Sequence, residues 1–243
     1  MTTNYYIPPE QISGSYVVLP AEEAKHAGQV LRKRVGDVIT AVDGVGGWYA
    51  VELTKVEKRR VAGMIRETKR EVGEPEFQLT VGLGLLKNQR RFEMFVEKAV
   101  ELGVSRIIPL TTARTEKSSH RTERMHKVLV AAMKQCGRSR LVQLDAVTGW
   151  DDVLAMGGFE QKFVCHEKAN SGDVILGALD PRSTSALILI GPEGGFSEKE
   201  VDSAVERSFM SVSLGSRRLR AETAGIAACA GVMLKAAQIA LRS

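Results

Sequence analysis

The sequence predicts an α/β fold: a mostly parallel sheet with helices on both faces, preceded by a smaller β domain. Three observations carry this reading. Up to about residue 70 the apolar residues fall in short runs around turn signals, whereas from Phe77 onward strand-like and helix-like segments alternate. Alternation of that kind implies parallel pairing with both sheet faces covered. The chain also has the bulk for it, since 243 residues, 44% hydrophobic and 26% charged, can bury one large core or two modest ones.

In the amino-terminal part, Tyr16–Pro20 reads as a strand and Ala21–Arg32 as a short helix with Ala24, Ala27, Val30 and Leu31 on one side. Asp37–Val42 and Trp48–Val56 form strands about the turn Asp43–Gly47, a hairpin signal. Arg60–Arg66 can close a small barrel or sandwich. The polar stretch Glu67–Glu76 has no periodicity and contains Gly73 and Pro75, so the domain boundary is placed there, dividing residues 1–71 from 72–243.

Beyond it, Phe77, Leu79, Val81, Leu83 and Leu85 alternate with smaller or polar residues, as in a strand. Arg91–Leu102 is helical and stops at Gly103. Val104–Leu110, Leu141–Val147, Gln161–His166, Ala186–Gly191 and Ser211–Leu214 are further strands. Helices are expected at Glu123–Cys136, Trp150–Met156, Asp173–Leu179 and Ser197–Phe209, the last opened by a capping box of Ser197 and Glu200. A final Ala- and Gly-rich helix, Glu222–Leu241, suits close backbone packing against the sheet, another helix or a partner subunit.

Composition excludes several classes. The apolar stretches fall far short of the roughly 20 residues of a membrane span. The first residues lack the basic and apolar regions of a secretory signal. Cys136, Cys165 and Cys229 are widely spaced, which argues against a disulfide framework or structural zinc site. They read as small core residues rather than nucleophiles, and the expected setting is a reducing cytoplasm. The net charge is only +5, but its distribution is uneven. Eight Lys and Arg between Arg114 and Arg140 face two Glu, and Arg217, Arg218 and Arg220 form a second knot. A solvated helix face and a polyanion grip are both compatible with such a run, and nucleic acid is the favoured reading.

The chemistry-bearing stretch is Gly191-Pro-Glu-Gly-Gly195, between a buried strand and a helix, where α/β proteins bind ligands. It is no Walker A loop, since no Lys-Ser or Lys-Thr follows it. Gly82 and Gly84 do not complete a dinucleotide fingerprint, because Lys87 stands at the third glycine position. Glu193 would repel a phosphate, so the loop suits a neutral or cationic ligand; a plain tight turn is the other reading. The next strand end, Leu214–Ala224, adds Gly215, three arginines, Glu222 and Thr223. The arginines can grip phosphate or a base edge. Glu222 and Thr223 can equally serve the dipole and cap of the last helix.

With these residues together, the sequence resembles the RsmE family, bacterial 16S ribosomal RNA uridine-N3 methyltransferases of the SPOUT (trefoil-knotted) superfamily. Leu187–Ser197 and Leu214–Ala224 resemble its two signatures. His26, Val30–Arg32, Gly36-Asp37 and Asp43-Gly44 resemble its amino-terminal pattern, and Lys98–Val104 and Gln135–Arg138 its middle motifs. Ser216, Arg218 and Ala221 stand where the pattern has Pro, Ile and Thr, and Lys134 where Glu is usual.

The resemblance implies a PUA-like β-barrel domain at 1–71 and a SPOUT-type knotted domain at 72–243. It further implies a homodimer, S-adenosylmethionine as cofactor, and 16S rRNA in the small ribosomal subunit as substrate, without metal or membrane. His166, Glu167, Gly191, Glu193, Gly194, Leu214, Gly215, Leu219 and Thr223 are expected to hold the cofactor. Arg220 is expected to stabilise charge developing on the uracil oxygens, and Glu222 to accept the N3 proton. Arg32, Lys33, Arg34, Arg114, Arg121, Arg124 and Arg138 are expected to grip RNA. Rival readings are another knotted RNA methyltransferase, such as a ribose 2′-O enzyme, and a non-enzymatic RNA-binding or ribosome-assembly protein.

Overall fold

The computed structural model describes residues 4–58, 60–116, 122–169, 174–180 and 182–240. The chain divides into two units, Met1–Glu74 with Val130–Leu141, and Pro75–Leu129 with Val142–Ser243.

The first unit is built on a six-stranded sheet of β1 (Tyr5–Tyr6), β2 (Ile12–Ser13), β3 (Tyr16–Val18), β4 (Val38–Val42), β5 (Gly47–Val56) and β6 (Val61–Arg70). The order is β1-β4-β5-β6-β3-β2; β1 pairs with β4 in parallel and the other pairs are antiparallel. Alternate residues Ile39, Ala41, Val51, Leu53 and Val61 are buried together in one core with Val17. Two expectations change here. Strand β6 runs four residues further than its apolar pattern, to Arg70, because Glu67–Arg70 pair with Gly47–Ala50 across a register shift at Ala50/Val51. Backbone pairing, not burial, holds that polar end, and Lys69 lies over the Trp48 ring at 4.8 Å. The helix expected at Ala21–Arg32 is α-helical only in α1 (Ala21–Lys25). It continues as a π-turn over His26–Val30, with the Leu31 N–H donating to the His26 carbonyl.

The second unit carries the parallel sheet: β7 (Gln78–Gly84), β8 (Arg106–Thr111), β9 (Gln143–Leu144), β10 (Thr148–Gly149), β11 (Gln161–Cys165), β12 (Ser185–Ile190) and β13 (Met210–Val212). The order is β10-β8-β7-β12-β11-β13, with β9 also on β8, and every pair is parallel. The helices of the chain after α1 are α2 (Gln89–Glu101), α3 (Thr122–Cys136), α4 (Trp150–Leu154), α5 (Ile175–Ala178), α6 (Glu198–Glu206) and α7 (Ala221–Ala240). One sheet face is closed by α4 and α6, where Leu110, Leu187 and Leu189 meet Val153, Phe196 and Val201. On the other, α7 packs on β7, β12 and α2. The approach to α2 is close: a Cβ at Gly225 would sit 2.7 Å from the Phe95 ring. The strand expected over Leu141–Val147 is reduced to β9, a length typical of sheet margins.

The two glycines of β7 have packing roles. A Cβ at Gly82 would meet Leu189 at 2.7 Å and Leu110 at 2.9 Å from the flanking strands, and one at Gly84 would collide with the Pro192 backbone nitrogen. Gly84 thereby lets the Gly191 loop pass directly over the end of the sheet.

Candidate active site

Strand β12 ends at Ile190, and the next five residues make a tight turn in which the Gly195 N–H donates to the Pro192 carbonyl at 2.8 Å. Gly195 has φ +68°, and a Cβ at Gly191 would lie 2.9 Å from Gly195 backbone atoms, so both positions require glycine. The turn is then anchored by α6. Ser197 accepts from the Glu200 N–H while Glu200 accepts from the Ser197 N–H at 2.8 Å, the expected capping box. The other Glu200 carboxylate oxygen accepts the Ala113 N–H at 2.7 Å, tying in the loop after β8. From that loop the Arg114 guanidinium donates to the Gly194 carbonyl at 2.6 Å, and from the loop after β7 the Lys87 N–H donates to Glu193 at 3.2 Å. Loops from three neighbouring strand ends thus meet at Gly191–Phe196.

A pocket of about 430 Å³ opens there, within the roughly 300–1,000 Å³ of small-molecule sites. Its walls include His166, Glu167, Gly191, Glu193, Gly194, Leu214, Gly215 and Leu219, eight of the nine residues expected to hold the cofactor. The His166 N–H donates to Val212, which joins the ends of β11 and β13, and Gly215 has φ +104°, turning the chain back along the pocket. Arg217, Arg218 and Arg220 stand exposed on the same wall. Cys165 lines the pocket, but burial raises its thiol to about 12, so it offers no thiolate at neutral pH.

Thr223, the ninth residue, is exposed and outside the pocket. Because α7 begins at Ala221, Ala221 and Ala224 turn toward the pocket and Thr223 points about 200° away from Ala221. Glu222, in the first turn of α7, is buried. It is 3% exposed, is not among the residues lining this pocket, and has Arg91 Nε 3.6 Å from Oε1, while Oε2 has no hydrogen bond among the described residues. The sequence reading missed Lys87, Asn88 and Arg91, which line a second cleft beside the same turn. Their signal was position: they follow β7, at the same carboxyl edge of the parallel sheet.

The cations expected to bind RNA divide sharply. Arg32 and Arg34 are exposed and Lys33 half-buried, with Arg32 in a left-handed conformation at φ +51°. Arg114 is exposed, and Arg124 is exposed but paired with Glu93 at 2.5 Å. Arg121 lies outside the described residues. Arg138 corrects the expectation. It is 4% exposed and its guanidinium is committed to Glu74 at 2.7 Å, so it does not face a polyanion. Lys134 and Arg140 likewise pair with Glu23 and Glu71, each at 2.5 Å. The local excess of positive charge counted along the sequence is therefore largely cancelled by carboxylates from outside the segment.

Two family models match the chain, an RNA methyltransferase domain over residues 73–233 and an RNA methyltransferase PUA domain over residues 19–63. The ribosomal RNA small subunit methyltransferase E of Bacillus subtilis is 30% identical over 88% of each chain. Among solved structures, the ribosomal RNA small subunit methyltransferase E of Neisseria gonorrhoeae, bound to S-adenosyl methionine, superposes with a TM-score of 0.86 at 29% identity. It covers 96% of this chain and 98% of its own. A probable rRNA-methyltransferase from Porphyromonas gingivalis gives 0.89 at 28%, over 97% and 99%. By these matches the chain belongs to the ribosomal RNA small subunit methyltransferase E family of RNA methyltransferases.

Proposed function

We propose that this protein transfers the methyl group of S-adenosylmethionine to N3 of a uridine in 16S rRNA, in the cytoplasm and on the small ribosomal subunit. The observation that carries the reading is the pocket formed by Gly191–Gly195, Leu214–Arg220 and His166-Glu167 in a chain of this family. The cofactor fits the residues present. Backbone groups of two glycine-containing turns can read a nucleoside edge, Ile190, Phe196 and Leu219 supply apolar surface, and Glu167 and Glu193 suit a cation. Bound there, the cofactor supplies a methyl group on a positively charged sulfur with a neutral leaving group.

The chain's own tasks are then positional and electrostatic. The loops must hold the two substrates in near-attack geometry, which removes the entropic part of the barrier. Arg220, exposed on the pocket wall, is assigned to the negative charge that develops on the uracil oxygens as N3 loses its proton. Thr223 and Arg138 have no part in the assignment. Arg32, Lys33, Arg34, Arg114 and Arg121 are assigned to the RNA backbone, and the target base must leave its stack to enter. The assembly is a homodimer. Its carboxy-terminal helix threads a knot, which is supported by the return of α7 from the edge strand β13 to lie on β7 and β12.

The test is incubation of the protein and S-adenosylmethionine with small ribosomal subunits lacking the modification, followed by nucleoside mass spectrometry. The expected product is 3-methyluridine. A ribose-methylated nucleoside would overturn the target, and cofactor-independent RNA binding with no methylation would support a binding protein instead.

A further inference from the structure

The turn Gly191–Phe196 is bordered by a cleft on each side. Beyond the pocket already described, a second cleft of about 740 Å³ runs along the loops that follow β7 and β8, lined by Lys87, Asn88, Arg91 and Thr115. Three residues belong to both clefts: Arg114, Glu193 and Gly194. Among the described residues, Glu193 is therefore the one carboxylate that borders both. Its Oε1 is tethered by the Lys87 N–H, and Oε2 accepts no hydrogen bond among the described residues. On the second cleft Glu193 is flanked by the cations Lys87, Arg91 and Arg114.

That arrangement has a chemical complement. The imide edge of uracil presents acceptor, donor and acceptor in order: O2, N3–H and O4. A carboxylate set between cationic donors matches it. The cleft also holds Glu116, bonded to Lys87 at 2.6 Å, so its charges are nearly balanced, which favours a neutral polar group over a phosphate. Glu222 has none of this access, being buried behind Arg91 and bordering neither cleft.

We propose that Glu193 is the proton acceptor of the reaction and that the second cleft seats the target base; this assignment rests on the function proposed above. The N3 proton passes to a Glu193 carboxylate oxygen, and the nitrogen lone pair forms the new N–C bond to the methyl group. The carbon–sulfur bond breaks with its electron pair remaining on sulfur as a neutral thioether. Glu193 is exposed, so its proton then leaves to water. Glu222 becomes a positioning residue that holds Arg91 at the edge of the cleft.

Single-turnover methylation of small subunits by wild type, Glu193→Gln, Glu193→Asp and Glu222→Gln tests this, with cofactor affinity measured by calorimetry on each. For Glu193→Gln the rate at neutral pH is expected to fall by about 10²-fold or more, the usual worth of a general base. Because Glu193 also borders the cofactor pocket, the rates are compared at saturating cofactor, so that weaker binding by the variant does not enter them. The variant's rate should climb with pH as hydroxide takes over, and Glu193→Asp should recover part of the loss. An undiminished rate in Glu193→Gln overturns the assignment, as does an equal loss in Glu222→Gln with cofactor binding intact. The wild-type product is read in the same digests. 3-Methyluridine there keeps the proposed function whatever Glu193→Gln does, whereas a different methylated nucleoside removes that function and this assignment with it.

Discussion

The two arginine-rich stretches, Arg114–Arg140 and Arg217–Arg220, are alike in sign and opposite in use. In the first, Lys134, Arg138 and Arg140 are bonded to Glu23, Glu74 and Glu71, and Arg124 to Glu93. In the second, Arg217, Arg218 and Arg220 stand exposed on the pocket wall and pair with no carboxylate among the described residues. A charge run read along the chain counts only its neighbours in sequence. The carboxylates that neutralise the first run lie 31 to 111 residues away, and only the fold brings them in. The contrast teaches that burial and partners, not charge density, separate cations that hold the fold from cations that meet a ligand.

The largest effect that can break this comparison is at Arg138. Its loss strands the buried Glu74 carboxylate, which also accepts the Ser139 and Arg140 N–H groups, so Arg138→Ala should cost about 3–5 kcal/mol in urea unfolding. A change near zero would place Arg138 with the exposed group. Next, Arg220→Ala should lower single-turnover methylation on the order of 10²-fold, as expected for a donor to developing charge, with a stability change under about 0.5 kcal/mol. Equal damage to stability would make it a structural arginine.

A smaller effect sharpens the division on the RNA side. Each exposed cation that meets a phosphate should contribute about one unit to the slope of log affinity against log salt, so Arg32→Ala and Arg34→Ala should each flatten it. Arg140→Ala should leave that slope unchanged. The smallest effect is on acid stability. Hydrogen bonding to Arg140 holds the Glu71 carboxyl below the usual carboxylate range, and Arg124 does the same for Glu93. A depressed folded value means stability that is present above the unfolded value of about 4.3 and is lost as pH falls through the folded one. Arg140→Ala should therefore differ from wild type at neutral pH and converge with it in acid, as followed by unfolding midpoints from pH 6 to pH 3.

Most of the parallel sheet was legible in the sequence because its strands are buried and β-rich, and its helices carry caps and periodicity. The Gly191 turn and its capping box were legible for the same local reasons. The end of β6 was not, because Glu67–Arg70 are held by strand pairing with no apolar signal. The reasons for Gly82 and Gly84 lie in Leu110, Leu189 and Pro192, which no local pattern places beside them. Thr223 and Glu222 were read correctly at the start of the last helix, but their surroundings were not legible without the helix phase, since a start at Ala221 sends consecutive side chains to different environments. The second cleft escaped because it joins the loops after β7 and β8 to Glu193 and Gly194, and Gly194 lies 80 residues beyond Arg114.

The central claim is that the turn at Gly191 forms the cofactor site, and calorimetric titration of S-adenosylmethionine into wild type and Gly191→Ala tests it most directly. A Cβ at Gly191 must displace the Gly195 backbone, so the account predicts saturable binding by wild type. The variant, its fold verified by circular dichroism, should bind at least about tenfold more weakly, roughly 1.4 kcal/mol. Equal affinity in the folded variant, or no binding by wild type, would contradict it.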